Sequence, residues 1–200
     1  TTVAIGFFEK GSDFTAFRTA AFDAHIPVGF CSDENIAKEF NTKMPSVLLL
    51  KQFDDKRSVL EDELFLKQHE SITKFIGRNS IQMVVDYDDD VLEKLRGDHS
   101  FDDIFYFFSD KDEGADDASR RELVTDVAKE FKATAGWVYI SRDNAAAANA
   151  DLHKQFGLVF ENDEEQAAKL PAIFHEGVPQ LEDFDVQQYP KEGALEGDDV

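Results

Sequence analysis

The first eighty residues alternate between short, uniformly apolar runs and longer stretches with apolar residues at helical spacing. Residues 3–8 and 26–31 are continuous apolar runs of the kind found in strands buried on both faces. Between them, Ser12 is placed to cap a helix that runs to about Ala24 with apolar residues at helical spacing, and Asp33 is placed to cap a second helix. This order predicts strands and helices in alternation.

The remainder of the chain repeats the alternation. Apolar runs at 81–85, 104–108 and 136–140 predict three more strands. The stretches 88–95 and 118–131 have the apolar periodicity of helices. The second half therefore predicts the same kind of layered structure as the first.

Three finer predictions concern the second half. The spacing of Leu123, Val127 and Phe131 predicts that these residues face inward from their helix. An alanine-rich stretch predicts a helix over 145–156, and a short apolar run predicts a hairpin strand over 181–184.

Two prolines stand directly before apolar runs, Pro45 after Met44 and Pro171 after Leu170. A proline at the start of a strand cannot donate a hydrogen bond to the sheet, so it needs a special backbone position, often a cis bond at a turn. Because each proline follows a helix-like stretch and precedes an acidic turn, the arrangement predicts an internal repeat.

The alternating elements and the hairpin after each proline describe an α/β fold, a mixed sheet flanked by helices, present twice. The two copies meet near Asn79 and Ser80. We therefore predict one domain over residues 1–79 and a second over residues 80–200 that ends in an acidic tail.

Charge narrows the possible partners. The chain has 42 acidic and 21 basic residues, a formal net charge of −21 at pH 7. Such a surface repels phosphates and anionic lipid headgroups, so we expect neither nucleic acid nor a membrane as partner. No apolar run approaches the roughly 20 residues that span a bilayer. Apolar residues make up 42% of the chain and include 19 Phe, enough for substantial cores.

The residues offer no catalytic or metal-binding motif. Cys31 is the single cysteine, so the chain has neither an internal disulfide nor a Cys-x-x-Cys pair, and a structural thiol is favoured over a reactive one. The five histidines show no His-Glu-x-x-His spacing, and no glycine-rich phosphate loop or nucleophile elbow is present. We predict no catalytic residue in this chain and no cofactor beyond weakly bound Ca²⁺.

Three clusters of acidic residues are candidates for calcium binding. None of the clusters fits an EF-hand, because Gly114 comes one position early and Arg121 stands where the twelfth-position Glu belongs. A solvated, solubilising surface is favoured, with low-affinity, high-capacity calcium binding as the alternative. The clusters lie at 86–90, 110–117 and 161–165.

Seven segments, in this order and spacing, resemble the two central domains of protein disulfide isomerases, the non-catalytic thioredoxin-like b and b′ modules. They are residues 3–8, 44–50, 50–57, 75–80, 127–131, 155–158 and 170–173. The resemblance implies two tandem thioredoxin-like domains, both truncated at the chain ends, with cis-prolines at Pro45 and Pro171. At the slots of the family's catalytic Cys-Gly-His-Cys, residues 9–13 and 109–112 carry no thiol.

The resemblance also implies a function. It predicts a chaperone-like segment of the endoplasmic reticulum lumen that binds unfolded polypeptide, alongside flanking catalytic thioredoxin domains or other folding factors. A longer parent protein would be an isomerase, whereas this chain is not an enzyme. A calsequestrin-like calcium store is the alternative.

The matching substrate site is an apolar groove of the second domain, in which Phe101, placed in a loop, is expected to be the exposed probe. The groove residues are Leu92, Leu95, Phe101, Phe105, Leu152 and Phe156.

Overall fold

A computed structural model of the chain divides into two compact units, one over Thr1–Gln82 and one that begins at Met83. The domain bounds predicted from the sequence, 1–79 and 80–200, stay a prediction. The structure describes residues 1–97, 101–110, 114–132, 134–141, 156, 170–177 and the backbone of 186–189.

The first unit is a four-stranded mixed sheet with helices. The strands are in the order β2-β1-β3-β4, in which β1 is parallel to β2 and antiparallel to β3, and β3 and β4 form an antiparallel hairpin. The elements are β1 (Val3–Phe7), α1 (Thr15–Asp23), β2 (Val28–Cys31), α2 (Glu34–Glu39), β3 (Ser46–Leu50), β4 (Arg57–Leu60), α3 (Glu63–Leu66) and α4 (His69–Asn79).

The second unit is a five-stranded mixed sheet in the order β5-β7-β6-β8-β9. Strands β5 and β6 flank β7 and are parallel to it, while β8 is antiparallel to both β6 and β9. The elements are β5 (Val84–Asp86), α5 (Asp89–Arg96), β6 (Asp103–Phe108), α6 (Ala115–Glu130), β7 (Ala135–Ile140), β8 (Ala172–Gly177) and β9 (Val186–Tyr189).

The two sheets share one plan. The Met44–Pro45 and Leu170–Pro171 peptide bonds are both cis, and each precedes a strand that runs antiparallel to the central strand of its sheet. Phe7 lies opposite the residue after Pro45, and Phe108 lies opposite the residue after Pro171. Strands β1 to β4 therefore correspond in turn to β6, β7, β8 and β9.

Alternation of side chains places a core on each face of the first sheet. On one face, Ala4 and Val47 join a cluster with Phe17 of α1. On the other face, Phe7 and Leu48 pack with Ala37 of α2. Both faces of the sheet are covered, which explains why its strands are apolar at nearly every position.

Aspartate side chains accept backbone hydrogen bonds at the beginnings of two helices. The Asp33 carboxylate accepts a hydrogen bond from the Asn35 N–H at 2.8 Å, as expected for the cap of α2. Helix α1 begins at Thr15 rather than at the predicted Ser12, and the Asp13 carboxylate accepts from the Thr15 N–H at 2.9 Å. The acidic residue takes the local donor that a longer helix would have used.

Two finer predictions are wrong, one of them in part. Helix α6 buries Val124 and Ala128, and Val127 packs against the same cluster as predicted, whereas Leu123 and Phe131 are exposed. The hairpin partner of β8 is β9, which lies beyond the predicted range 181–184. The residues 181–184, and the predicted helix over 145–156 apart from Phe156, lie outside the described residues.

Candidate polypeptide-binding surface

Leu95 and Phe101 pack against strand β7 where it has a glycine. A Cβ placed on Gly136 would lie 3.1 Å from Leu95 Cδ2 and 3.1 Å from Phe101 Cδ2. Both side chains are buried, and Phe101 is only 5% exposed. Leu92, which lies on helix α5 with Leu95, is buried as well. The expectation that Phe101 is an exposed probe is wrong, because the missing side chain at Gly136 lets its ring sink onto the sheet.

Phe156 lies on an aromatic base supplied by two strands. Its ring centroid is 4.9 Å from that of Tyr106, 5.4 Å from that of Phe108 and 4.8 Å from that of Phe174. The three supporting rings are buried, whereas Phe156 is only half-buried. Part of this aromatic cluster therefore remains open to solvent.

Phe156 and helix α5 cover the same face of the second sheet. Gly136 is paired in register with Ile104, which shares a face with Tyr106 because alternate residues of a strand point the same way. Leu95 packs on Gly136, and Phe156 packs on Tyr106. This surface is called the α5 face below.

Phe105 lies on the opposite face. Its ring stacks on Trp137 at 4.6 Å and on His175 at 4.8 Å, and the exposed Phe131 ring lies 6.3 Å away. Asp103 Oδ1 lies 2.6 Å from the Nε2 atom of His175. The predicted groove residues therefore do not form one site, because Phe105 is separated by the sheet from Leu95 and Phe156. Leu152 lies outside the described residues.

A buried carboxylate ties α5 to the sheet. Glu176 is 3% exposed, and its Oε2 atom accepts hydrogen bonds from Arg96 Nη2 and from the Tyr106 hydroxyl, each at 2.6 Å. The Arg96 Nη2 also lies 3.0 Å from the Tyr106 hydroxyl. Burial, followed by the hydrogen bond to Glu176, raises the pKa of Tyr106. Glu176 is distant in sequence from Arg96 and Tyr106, so no local sequence pattern predicts this network.

A second buried carboxylate lies near one slot that holds catalytic cysteines in the family. Asp117 Oδ1 accepts hydrogen bonds from the Ser109 hydroxyl at 2.9 Å and from the Tyr139 hydroxyl at 2.6 Å. The Arg121 guanidinium lies over the Tyr139 ring, 5.1 Å from its centroid. Burial, followed by the hydrogen bond with Asp117, raises the pKa of Tyr139. These contacts support a structural role for Asp117, which joins Ser109 to Tyr139.

The two buried tyrosines predict alkaline destabilisation. Because each folded-state pKa lies above the unfolded value near 10, the unfolded chain loses its phenol protons first as pH rises. Their contribution is complete below about pH 10, and above it the free energy of unfolding should fall by up to about 1.4 kcal/mol per pH unit per tyrosine. Urea titrations between pH 9 and 11 measure this slope. In Tyr106→Phe the slope should be shallower, and an unchanged slope would contradict the assignment.

The acidic clusters include carboxylates that are paired with arginine. Asp86 accepts a hydrogen bond from Arg121, and Asp110 lies 3.3 Å from Arg120. Among the residues with described positions, no group of three or more His, Cys, Asp or Glu side chains is arranged to hold a metal ion. Weak calcium binding stays a prediction. Within the same residues, every helix is too short or too polar to cross a bilayer.

The sequence and the geometry define the class of protein. Each unit has a central strand paired in parallel on one side and with a cis-proline strand in antiparallel on the other. This is a thioredoxin-like arrangement, in two units. Cys31 is half-buried and is the only cysteine of the chain, so a Cys-x-x-Cys pair for dithiol exchange does not exist in it.

Comparison with known proteins agrees with this class. The profile of the thioredoxin-like domain family matches residues 8–179, so the chain belongs to this family. Protein disulfide-isomerase of Drosophila melanogaster is 29% identical over 144 residues, which cover 70% of this chain. The chain spans 28% of the length of that relative. The resemblance to the non-catalytic thioredoxin-like domains of protein disulfide isomerases is thereby confirmed.

Two solved structures are also similar. Human ERp44 in its zinc-bound form has 15% identity and a TM-score of 0.50, and the match covers 88% of this chain and 45% of that one. The bb fragment of ERp72 has 14% identity and a TM-score of 0.49, with 92% and 80% covered. At such identities the likeness to human ERp44 concerns the fold alone.

Proposed function

We propose that this chain is a binding segment of a protein disulfide isomerase family member and that it holds unfolded or partly folded polypeptide. It contacts the polypeptide through the α5 face of its second unit, with Phe156 as the principal contact. Catalysis of disulfide exchange belongs to thiol-bearing thioredoxin domains flanking it, or to other folding factors. The place of action is the endoplasmic reticulum lumen.

The observation that carries the proposal is the environment of Phe156. Its ring is half-buried on Tyr106, Phe108 and Phe174, which hold it in place while leaving part of it in contact with water. Apolar contact is non-directional, so a fixed aromatic surface accepts many different sequences. An aromatic ring that is ordered before binding also loses little conformational entropy when a ligand arrives.

Charge supports the same function. With a net charge of −21, the chain repels other copies of itself and stays dispersed while it exposes an apolar surface. The same charge favours polypeptides with basic residues beside their apolar ones. We therefore expect apolar, basic segments to bind better than apolar, acidic ones.

Replacing Phe156 with alanine should weaken binding of an unstructured apolar peptide about tenfold, because a central aromatic contact is worth more than 1 kcal/mol. Fluorescence anisotropy of a labelled peptide containing Leu, Phe and Lys measures the dissociation constant. The matched control is Phe131→Ala, which removes an exposed ring from the opposite face.

The proposal fails if Phe131→Ala weakens binding as much as Phe156→Ala does, or if neither variant changes it. Urea unfolding of both variants, followed by the fluorescence of Trp137, the one tryptophan of the chain, shows whether the second unit is still folded. If Phe156→Ala unfolds this unit, Phe156→Leu keeps an apolar side chain and should show a smaller loss of affinity.

A further inference from the structure

Arg96 and Phe156 lie side by side on the α5 face. The Phe156 ring packs on that of Phe174 in β8, with the centroids 4.8 Å apart, and Arg96 Nη2 lies 2.6 Å from the Oε2 atom of Glu176. Phe174 and Glu176 are two residues apart on β8, and both are buried on the same side of the strand. Because two residues of a strand span about 7 Å, the ring and the guanidinium are neighbours at roughly that spacing.

Tyr106 contacts both of them from the sheet. Its ring centroid is 4.9 Å from that of Phe156, and its hydroxyl lies 3.0 Å from Arg96 Nη2 and donates to Glu176 at 2.6 Å. Tyr106 and Glu176 are buried, whereas the Arg96 side chain is 44% exposed. A planar guanidinium that is already held on one side loses little conformational freedom when it binds a ligand on the other.

The exposed part of Arg96 has further hydrogen-bond donors. Within the described part of the chain, the hydrogen bonds of Arg96 all use Nη2. A guanidinium carries five N–H donors, two of them on this nitrogen, so three remain on Nε and Nη1. Glu176 already balances the charge of Arg96, and the net charge of −21 repels anionic ligands. A neutral acceptor therefore suits these donors better than a second carboxylate does.

An extended polypeptide presents a neutral acceptor at the required spacing. Side chains on one side of an extended chain recur about every 7 Å, and the main-chain carbonyl groups lie between them. When an apolar side chain of such a segment rests on Phe156, a carbonyl of the same segment comes within reach of Arg96. Every polypeptide has this group, so the contact adds affinity without selecting one particular sequence.

We propose that Arg96 is a specificity-determining residue of the α5 face and that it donates a hydrogen bond to a main-chain carbonyl of the bound polypeptide. This role rests on the proposed function, because it takes Phe156 as the apolar contact. The α5 face then recognises an extended peptide segment and discriminates against apolar molecules that lack a peptide backbone. Glu176 and Tyr106 are positioning residues, which hold the guanidinium in place from the buried side.

Arg96→Lys in the full chain tests the role of the guanidinium. The single Lys nitrogen can replace Nη2 beside Glu176, so the ion pair is kept while the outward donors are lost. Affinity for a labelled, amidated peptide containing Leu, Phe and Lys should fall about tenfold, the effect of roughly one hydrogen bond to a charged donor. Affinity for Nile red, a neutral apolar dye without a peptide backbone, should be unchanged.

Two further variants serve as controls. Lys94→Gln removes a full charge from an exposed position in the same last turn of α5 and should not weaken peptide binding. Phe156→Ala should weaken the binding of peptide and dye alike, because both use the aromatic ring. If Phe156→Ala changes neither affinity, the proposed function fails, and the role of Arg96 falls with it.

Other results overturn the role of Arg96 while Phe156→Ala still upholds the proposed function. If Arg96→Lys leaves peptide affinity unchanged, the guanidinium does not contact the polypeptide. If it weakens dye and peptide equally, it has altered the aromatic surface. If Lys94→Gln weakens peptide binding as much, the effect is general charge on α5. If the loss appears only with peptides that contain Asp or Glu, the acceptor is a carboxylate.

A second measurement needs no variant of the protein. Esters replace the amides next to the apolar residues of the same peptide, and an ester carbonyl is a weaker hydrogen-bond acceptor than an amide carbonyl. The unmodified chain should bind this ester-containing peptide about fivefold more weakly than the parent peptide. Equal affinities for the two peptides would overturn the main-chain contact, even if Arg96→Lys fails to fold.

Discussion

Replacing Glu176 with alanine is expected to destabilise the second unit by about 2–3 kcal/mol, because the buried carboxylate accepts charge-assisted hydrogen bonds, while the side chain of its partner Arg96 is 44% exposed and keeps its contact with water. The change leaves the Tyr106 hydroxyl buried without this acceptor and takes from Arg96 its contact with β8. Helix α5 thereby loses its ion pair with the sheet. Urea unfolding followed by Trp137 fluorescence measures the loss in this unit alone.

Two controls separate the buried network from charge in general. Glu176→Gln keeps the shape and an acceptor for Tyr106 but removes the charge, so we expect a smaller loss, about 1–2 kcal/mol. Glu34→Ala removes an exposed partner of Lys38 in α2 and should cost no more than about 0.5 kcal/mol. If Glu176→Ala costs as little as Glu34→Ala, the carboxylate is not the anchor of α5.

Phe101→Ala is expected to cost about 3–5 kcal/mol of unfolding free energy, because the residue is buried and its removal leaves a cavity next to Gly136 and Leu95. Peptide affinity should be unchanged wherever the variant is folded. Equilibrium unfolding in urea gives the first quantity, and anisotropy titration at low urea gives the second.

Leu123→Ala is the matched control for this stability measurement. Leu123 is an exposed residue of α6, and alanine is as good a helix former as leucine, so we expect a change below about 0.5 kcal/mol. If Phe101→Ala leaves stability intact and weakens peptide binding, Phe101 is an exposed contact after all, and the burial described above is wrong in solution.

The fold could be predicted because its signals are local. A continuous apolar run such as that of β3 is typical of a strand covered on both faces, and Asp33 is a capping residue in the place where α2 begins. A proline stands directly before an apolar run twice, at Pro45 and at Pro171, and this repetition predicted two similar units. None of these signals depends on which distant residues come together.

The face of a helix is a less local property. On α6, the stripe of Leu123, Val127 and Phe131 and the stripe of Val124 and Ala128 lie about 100° apart, and both contain apolar residues. Periodicity alone does not distinguish them. The packing of α6 on Trp137 and Tyr139 buries the second stripe together with Val127 and leaves Leu123 and Phe131 exposed.

The candidate site was predictable only in part. Phe156 stays in it because its ring lies on the α5 face, whereas Phe105, two positions from Phe107 on the same strand, faces α6. A two-residue period predicts that neighbours on a strand point in opposite directions, but the choice of face depends on where the helices pack. The family resemblance indicated which positions belong to the groove, but it did not indicate which face of the sheet each side chain lies on.

By itself, the sequence determined the α/β class, the acidic surface and the absence of a Cys-x-x-Cys pair, because these follow from residue types and short spacings. Only the tertiary structure decided that Phe101 is core and that Glu176 joins Arg96 to Tyr106. Each of these depends on contacts between residues far apart in the chain, whose energies appear only once the sheet has formed.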